Sequence, residues 1–138
     1  ADLVAPNAWE LQHLTGADVR DPAQALAAAR QLGRPVLVSS VRNGEEIGVV
    51  YADGAEAWLA AHPRAASAPK GTGDLLSALF AAALIDGLTG SYALARAVGG
   101  LVETLAAAQG AHAAELPIVA MGPKLKAVAP SVRMERLA

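Results

Sequence analysis

Cysteine is absent from the 138-residue sequence, which excludes a disulfide framework, thiolate zinc ligands and a cysteine nucleophile. The absence fits a reducing compartment, and we expect the protein to be cytoplasmic. No apolar run reaches the ~18 residues of a membrane-spanning helix, so no membrane partner is expected. Charge is also scarce: 11 Lys and Arg against 13 Asp and Glu leave a net charge of −2. This balance removes the usual electrostatic reason to expect nucleic acid as a partner.

Alanine occupies 34 positions in a chain that is 54% hydrophobic. Because alanine adds little apolar area, the core is lighter than the hydrophobic fraction suggests. The composition still predicts one folded domain over residues 1–138, with no internal repeat and no long linker. The sequence lacks an initiating methionine and begins inside an apolar run, so we expect it to be a piece of a longer chain.

Local signals predict an α/β protein. Asn7 and Asp21 each occupy a capping position before a helical repeat, and Asn43-Gly44 and Asp53-Gly54 are turn signals. A helix followed by a continuous β-branched strand is typical of a mostly parallel sheet flanked by helices. The predicted elements are a strand at 3–5, helices at 7–16 and 21–33, a strand at 35–39, a hairpin or meander over 43–60, a loop at 62–70, helices at 75–88 and 91–108, and an edge strand at 133–137.

Gly71-Thr72-Gly73-Asp74, before a long apolar helix, is the segment that most clearly indicates chemistry. The glycines allow a ligand close to the backbone, and the free N–H groups of the helix start attract an anion. The segment is neither a Walker loop nor a dinucleotide fingerprint. A carboxylate repels bound phosphate, so Asp74 makes sense if it takes a proton from an attacking hydroxyl, as in phosphoryl transfer to an alcohol. The alternative is that Asp74 only caps the helix.

Three segments together resemble a known family. Gly71-Thr72-Gly73-Asp74 before an apolar helix resembles the anion-hole signature of the ribokinase-like superfamily of small-molecule kinases. Asn7-Ala8-Trp9-Glu10, after a strand and Pro6, resembles the N-x-x-E motif of that superfamily. The stretch Glu115-Leu116-Pro117-Ile118-Val119-Ala120, with Pro130 further on, is similar to the tail of the pyridoxal kinase branch. In order and spacing, essentially all 138 residues resemble the C-terminal half of a pyridoxal kinase.

The resemblance implies a three-layer ribokinase-like sandwich that uses ATP to phosphorylate the 5′-hydroxymethyl group of pyridoxal, pyridoxine or pyridoxamine in vitamin B6 salvage. It implies that Asp74 is the general base and that the amides of Gly71–Gly73 form an anion hole for the γ-phosphoryl group. It also implies that Asn7 and Glu10 position the Mg²⁺ of ATP through water, which agrees with the oxygen ligands that Mg²⁺ prefers. Their spacing is equally that of a capping box, and the two roles are compatible.

Three further residues are candidates for ATP binding. Ser39 and Ser40 end the predicted central strand, where α/β sheets bind ligands, and the resemblance implies nucleotide phosphates nearby. Lys70 precedes the glycine loop and is a candidate to neutralise phosphate charge; the alternative is a solvated loop lysine. The resemblance also implies apolar contacts with adenine from residues 65–69 and from the segment after Gly100.

The histidines and tryptophans are not assigned to the site. His13, His62 and His112 do not have metal-ligand spacing, so they are predicted to lie on the surface or on a helix face. Trp9 and Trp58 are predicted to belong to the core.

The resemblance covers about half of a complete kinase of this type, which leaves two hypotheses. The first is a vitamin B6 kinase that acts within a complete ribokinase-like fold, as a homodimer or in association with a missing N-terminal half. The second is a non-catalytic remnant that keeps the nucleotide-binding half. Asp74 favours the kinase, because a binding remnant has no need for a carboxylate there. Within the enzyme class, a hydroxymethylpyrimidine kinase or a sugar kinase is the alternative.

Overall fold

The computed structural model describes residues 3–63, 72–111 and 132–138, which fall into two compact units. Residues 3–63 and 133–138 form one unit, here named the sheet unit, and residues 72–111 belong to the other, named the helix pair. Helices and strands are both present, as predicted for an α/β chain. In chain order they are α1 (Ala8–Thr15), α2 (Pro22–Gln31), β1 (Val36–Asn43), β2 (Glu46–Asp53), β3 (Glu56–Pro63), α3 (Thr72–Ile85), α4 (Gly90–Ala111) and β4 (Arg133–Arg136).

The helices of the sheet unit begin at the caps that the sequence predicts. The Asn7 side chain caps α1, and the Asp21 carboxylate accepts the backbone N–H three residues ahead at 2.8 Å. α1 ends at Gly16, whose φ of 73° is the left-handed cap expected of glycine. α2 ends at Gln31, with Leu32 as its C-cap, slightly before the predicted end at Gly33.

The three long strands form the predicted meander. Two-residue turns join them, and each turn begins with a glycine at positive φ, 64° at Gly44 and 61° at Gly54. This conformation matches the right-handed twist of adjacent strands and is easiest for glycine. β4 pairs with β3 and completes the order β1-β2-β3-β4, which confirms the predicted edge strand near the C-terminus.

The prediction of a mostly parallel sheet is not confirmed, since all pairings between the described strands are antiparallel. A two-residue turn can join only antiparallel neighbours, whereas a parallel pair needs a long crossover. One such crossover exists, because the chain passes from Val4 through α1 and α2 to β1. Parallel bridges there join Val4 to Val36 and Asn7 to Ser39. The strand predicted at residues 3–5 is therefore a bridged segment beside β1.

The core of the sheet unit lies where α1 and α2 pack against β1 and β2. Fully buried alanines on α2 allow the helix to approach the sheet closely, which explains part of the high alanine content. The largest buried side chains of this cluster belong to Leu11, Leu26, Val36, Val38, Val41, Val50 and Leu59.

The loop predicted at residues 62–70 is wrong at its start, because β3 continues through His62 and Pro63; residues 64–70 lie outside the described residues. His62 is 6% exposed, which contradicts its predicted surface position. The reason is that β3 is an interior strand between β2 and β4. Burial lowers the pKa of His62 below its usual value. His13 is exposed as predicted, and His112 lies outside the described residues.

The short strand β4 is attached to the sheet by charged side chains. The Arg133 guanidinium lies 2.7 Å from Glu46 on β2 and 3.0 Å from Glu135. Its hydrogen bond lowers the pKa of the Glu46 carboxyl. The Arg136 guanidinium stands 5.4 Å from the ring centre of Trp58, a cation–π contact. Trp58 is half-buried, so it is not the core residue that the sequence predicts.

In the helix pair, α3 packs against α4. α3 begins at Thr72, three residues before the predicted start, and α4 begins at Gly90, so Ser91 lies inside the helix and is not its cap. The two helices were predicted to be nearly apolar on all sides and sandwiched. α3 is apolar on both faces, but only one face is buried. Its buried residues are Leu75, Leu76, Phe80 and Ala83, and its exposed residues include Ala78, Ala81 and Ala82.

A few large apolar side chains remain exposed. Trp9 is 64% exposed and therefore not in the core, because it lies two residues from buried Leu11 and so on the opposite side of α1. The others are Leu14, Leu84, Ile85 and Tyr92. None of the described helices combines the length and hydropathy that crossing a bilayer requires.

Candidate active site

Asn7 and Glu10 form a complete capping box at the start of α1. The Glu10 N–H donates to Asn7 Oδ1 at 2.7 Å, and the Asn7 N–H donates to Glu10 Oε1 at 2.9 Å. This arrangement fixes both side chains relative to the backbone. It uses one oxygen of the Glu10 carboxylate, whose second oxygen is available to a water or an ion.

Ser39 and Ser40 do not end β1, as predicted, but lie at a bulge inside it. Pairing with β2 shifts register between Val38 and Val41 and then continues to Asn43, because the tight turn at Gly44 holds the two strands together. Ser40 has a φ of 59°, and it is the only non-glycine residue of the described chain with a positive φ. Such a conformation is strained, and strained residues concentrate at functional sites.

The fold brings Asn7 and Ser40 to one pocket of about 590 Å³. The parallel bridge between Asn7 and Ser39 explains why the start of α1 meets the bulge of β1. The pocket also contains Arg20 and Arg42, which the sequence analysis missed. They belong to no sequence motif. The α1–α2 connection folds back beside β1 and so brings both arginines to the same pocket. Glu10 lines a neighbouring pocket of about 480 Å³ together with Trp9 and His13.

The described residues contain no cluster of three or more His, Asp or Glu side chains that could hold a metal ion. Asn7 and Glu10 supply one amide oxygen and one carboxylate. This donor set does not make a protein cage for a metal, but it fits Mg²⁺, which keeps several waters and binds substrate phosphates. The residues present are therefore compatible with Mg²⁺ held mainly by nucleotide and water.

Asp74 lies in the first turn of α3, as its third residue. Its carboxylate is exposed and makes no hydrogen bond with any described residue. Because α3 begins at Thr72, Asp74 lies inside the helix and not at its N-cap position. Gly71, whose N–H a carboxylate at this position would accept in a capping box, lies outside the described residues. A negative charge in the first turn is nevertheless favourable to the helix dipole.

Gly73 precedes Asp74 and is also exposed. A Cβ added to Gly73 would meet no atom of the described chain within 4 Å, so space is open beside this turn. The backbone N–H groups of a first helical turn have no partner within the helix. An anion can therefore approach these amides beside the exposed Asp74 carboxylate. Lys70 and Gly71 lie outside the described residues, as do the predicted adenine contacts at 65–69.

The segment after Gly100, also predicted to contact adenine, is helical up to Ala111 as part of α4. Gly100 is buried, and its carbonyl accepts a hydrogen bond from the Thr104 hydroxyl at 2.8 Å. This part of α4 has the apolar character that the prediction requires, but no contact to a nucleotide follows from it.

Comparison with known proteins supports the predicted resemblance. A family model described as phosphomethylpyrimidine kinase matches residues 1–118. A pyridoxal kinase of Corynebacterium diphtheriae is 34% identical over 127 residues, which make up 86% of this chain and 45% of the relative. The chain thus spans about half the length of the curated relatives it matches.

Solved structures show the same relationship. The pyridoxal kinase of Entamoeba histolytica matches with a TM-score of 0.86 and 28% identity, over 99% of this chain and 51% of its own. The pyridoxal kinase of Leishmania donovani in complex with ADP and pyridoxine has a TM-score of 0.85 over 100% of this chain and 52% of its own, and its 20% identity shows the fold alone. The predicted similarity to pyridoxal kinases is confirmed, and the match over residues 1–118 shows that the chain belongs to the phosphomethylpyrimidine kinase family.

Proposed function

We propose that this chain carries the catalytic base and part of the nucleotide site of a phosphotransferase that phosphorylates the 5′-hydroxymethyl group of pyridoxal, pyridoxine or pyridoxamine with ATP. The observation that carries the proposal is the exposed Asp74 carboxylate in the first turn of α3, with open space beside Gly73. The similarity to pyridoxal kinases supports the substrate class. The complex of the Leishmania enzyme with ADP supports a nucleotide as the phosphoryl donor.

In the proposed reaction, Asp74 accepts the proton of the substrate hydroxyl while the hydroxyl oxygen attacks the γ-phosphorus. The bond from the γ-phosphorus to the oxygen of ADP breaks, so the products are a phosphate ester and ADP. The amides of Gly71, Thr72 and Gly73 stabilise the negative charge that collects on the transferred group. Because the Asp74 carboxylate is exposed, it can pass the proton to solvent after each turnover.

Asn7 and Glu10 would hold Mg²⁺ through water, since the capping box positions them and one Glu10 oxygen remains available. Mg²⁺ would supply charge neutralisation on the phosphates of ATP. Ser40, in the pocket that also contains Asn7, and Ser39 beside it remain proposed nucleotide contacts. Lys70 has the same proposed role on sequence grounds.

The chain would correspond to the C-terminal half of a ribokinase-like domain, and we treat residues 1–138 as part of one such domain. The parallel bridges of Val4 and Asn7 to β1 support a sheet that continues with parallel strands beyond the described ones. A homodimer, or association with an N-terminal half, and a cytoplasmic location remain predictions.

A hydroxymethylpyrimidine kinase is the second candidate, because the matching family model is described as a phosphomethylpyrimidine kinase and so names a related methylpyrimidine substrate. The alcohol that the enzyme prefers as substrate would distinguish this candidate from a kinase of the B6 vitamers. A non-catalytic nucleotide-binding remnant is the third candidate; the exposed carboxylate of Asp74, which has no partner among the described residues, argues against it.

The test is an ADP-release assay on the protein that carries this chain, with each B6 vitamer and with hydroxymethylpyrimidine. We expect turnover with the vitamers, and Asp74→Asn should lower kcat by about 10³-fold with an unchanged Kd for ATP, because a general base contributes on the order of 10²–10⁴. Glu45→Gln, which alters an exposed carboxylate in the turn between β1 and β2, is the matched control. Unchanged turnover by Asp74→Asn would remove Asp74 from the mechanism. ATP binding without transfer to any of these alcohols would support the remnant.

A further inference from the structure

Arg20 and Arg42 have no role in the reaction proposed above, yet both line the 590 Å³ pocket that contains Asn7 and Ser40. Both side chains are exposed. Arg20 lies 3.9 Å from Asp18, but the two side chains are 77% and 68% exposed, and such an ion pair contributes little. Arg42 forms no ion pair or hydrogen bond with another described residue. Both guanidinium groups are therefore available to a ligand.

Strand geometry explains how Arg42 reaches the pocket. Alternate residues of a strand face the same side, so Ser40 and Arg42 point to one side while Val41 is fully buried on the other. The bulge between Val38 and Val41 creates this alternation, because it shifts the register just before these residues. The same irregularity that strains Ser40 thus directs an arginine into the pocket.

The charged side chains that line the pocket are all positive. The lining residues contribute two arginines and no carboxylate among the described residues; they are Asn7, Ala8, Trp9, Gln12, Val19, Arg20, Ser40 and Arg42. Glu10, the nearest acidic member of the N-x-x-E motif, faces the neighbouring pocket instead. A pocket with two cations and several neutral hydrogen-bonding groups suits a polyanion.

We infer that Arg20 and Arg42 bind the polyphosphate chain of the nucleotide, an inference that rests on the proposed kinase function. The planar guanidinium can donate two parallel hydrogen bonds to phosphate oxygens, and its charge persists at every physiological pH. Asn7, the proposed partner of the Mg²⁺ on the same phosphates, lies in the same pocket. The two arginines are thus positioning residues for the phosphoryl donor.

The experiment measures the Kd of ATP, of inorganic tripolyphosphate and of adenosine by calorimetry on the protein that carries this chain. The variants are Arg20→Ala, Arg42→Ala and Arg42→Lys, with Arg34→Ala as control, because Arg34 is an exposed arginine that lines a different pocket. We expect each alanine variant to raise the Kd of ATP and of tripolyphosphate about tenfold, the scale of one lost charge-assisted contact. Adenosine binding should not change, and Arg42→Lys should restore part of the loss.

Steady-state kinetics provide the second readout. The KM for ATP should rise in the alanine variants, whereas the KM for the alcohol should stay at the wild-type value. Wild-type ATP and tripolyphosphate affinity in both alanine variants, in an enzyme that still phosphorylates its alcohol, would overturn the inference and leave the proposed function standing. Arginine-dependent ATP binding without phosphoryl transfer would support the inference and overturn the function. An absence of ATP binding in the wild-type protein would overturn both.

Discussion

Two helix starts in this chain have a carboxylate at the same helical position. One carboxylate is hydrogen-bonded to the cap residue, and the other is exposed. Glu10 is the third residue of α1 in the sheet unit, and Asp74 is the third residue of α3 in the helix pair. Glu10 reaches back to the cap and closes a box with Asn7. Asp74 is exposed and bonds to no described residue. Gly71, the residue before α3, lies outside the described residues, so the contrast is between a carboxylate that closes a capping box and one that bonds to no described residue.

A helix start can hold a carboxylate for a structural reason or for a chemical one, and its hydrogen-bond partners distinguish the two. A carboxylate that satisfies a backbone donor already has a structural reason for its presence. A carboxylate without such a partner, beside a glycine with open space, has no structural reason of comparable strength. The capping box does not exclude a second role for Glu10, since only one of its oxygens is used.

Lengthening the free carboxylate should have the largest effect. Asp74→Glu keeps the charge but moves the carboxylate by about one bond length and allows it to fold back toward the helix start. Because a displacement of about 1 Å can cost on the order of 10²-fold in rate, kcat should fall by about that factor with the thermal stability unchanged. Asp18→Glu is the control for a longer exposed side chain. Wild-type kcat in Asp74→Glu would show that side-chain length is not what distinguishes the two helix starts.

Gly48 in the sheet unit and Gly73 in the helix pair differ in the space that an added side chain would find. A Cβ at Gly48 on β2 would lie 2.7 Å from Leu59 Cδ1 and 2.9 Å from the Ala60 carbonyl oxygen, whereas Gly73 has open space in the described chain. Gly48→Ala should destabilise the protein by about 1–3 kcal/mol, the usual cost of overpacking.

Gly73→Ala should leave the free energy of unfolding unchanged or raise it by up to about 1 kcal/mol, because alanine favours a helix. Its phosphoryl transfer should nevertheless fall, since the methyl group would occupy the space in which an anion approaches the first turn. Urea denaturation and the ADP-release assay measure the two effects. Equal unfolding free energies for the two variants would contradict the contrast in packing.

The Glu10 carboxylate allows its two roles to be separated by a pair of variants. Glu10→Gln keeps an oxygen that can accept the Asn7 N–H but removes the charge, whereas Glu10→Ala removes both. We expect both variants to raise the KM for ATP in the presence of Mg²⁺ about tenfold. Only Glu10→Ala should also lower stability, by about 1 kcal/mol. A wild-type KM in Glu10→Gln would leave this residue with the structural role alone.

Local features of the fold could be predicted because adjacent residues determine them. The caps at Asn7 and Asp21 and the turns at Gly44 and Gly54 depend on side chains and φ angles within a few residues. The site motifs were found for the same reason, since the glycine loop and the N-x-x-E spacing are short. Roles proposed for Lys70 and Gly71 stay predictions, as these residues lie outside the described part of the chain.

Other features depend on long-range packing. The burial of His62 follows from the pairing of β3 with both β2 and β4, and β4 comes from a segment some seventy residues further along the chain. The meeting of Arg20 with Arg42 requires the α1–α2 connection to return beside β1. Nothing in the local sequence around any of these residues specifies such contacts.

Short-range patterns in the sequence were sufficient to predict the helix caps, the turns of the meander and the family resemblance. Long-range packing places Ser40 at a strained bulge and brings two arginines into a pocket with Asn7. The physical reason is that hydrogen-bond partners and pockets are formed by residues far apart in the chain, whose positions are set by the packing of the whole sheet unit.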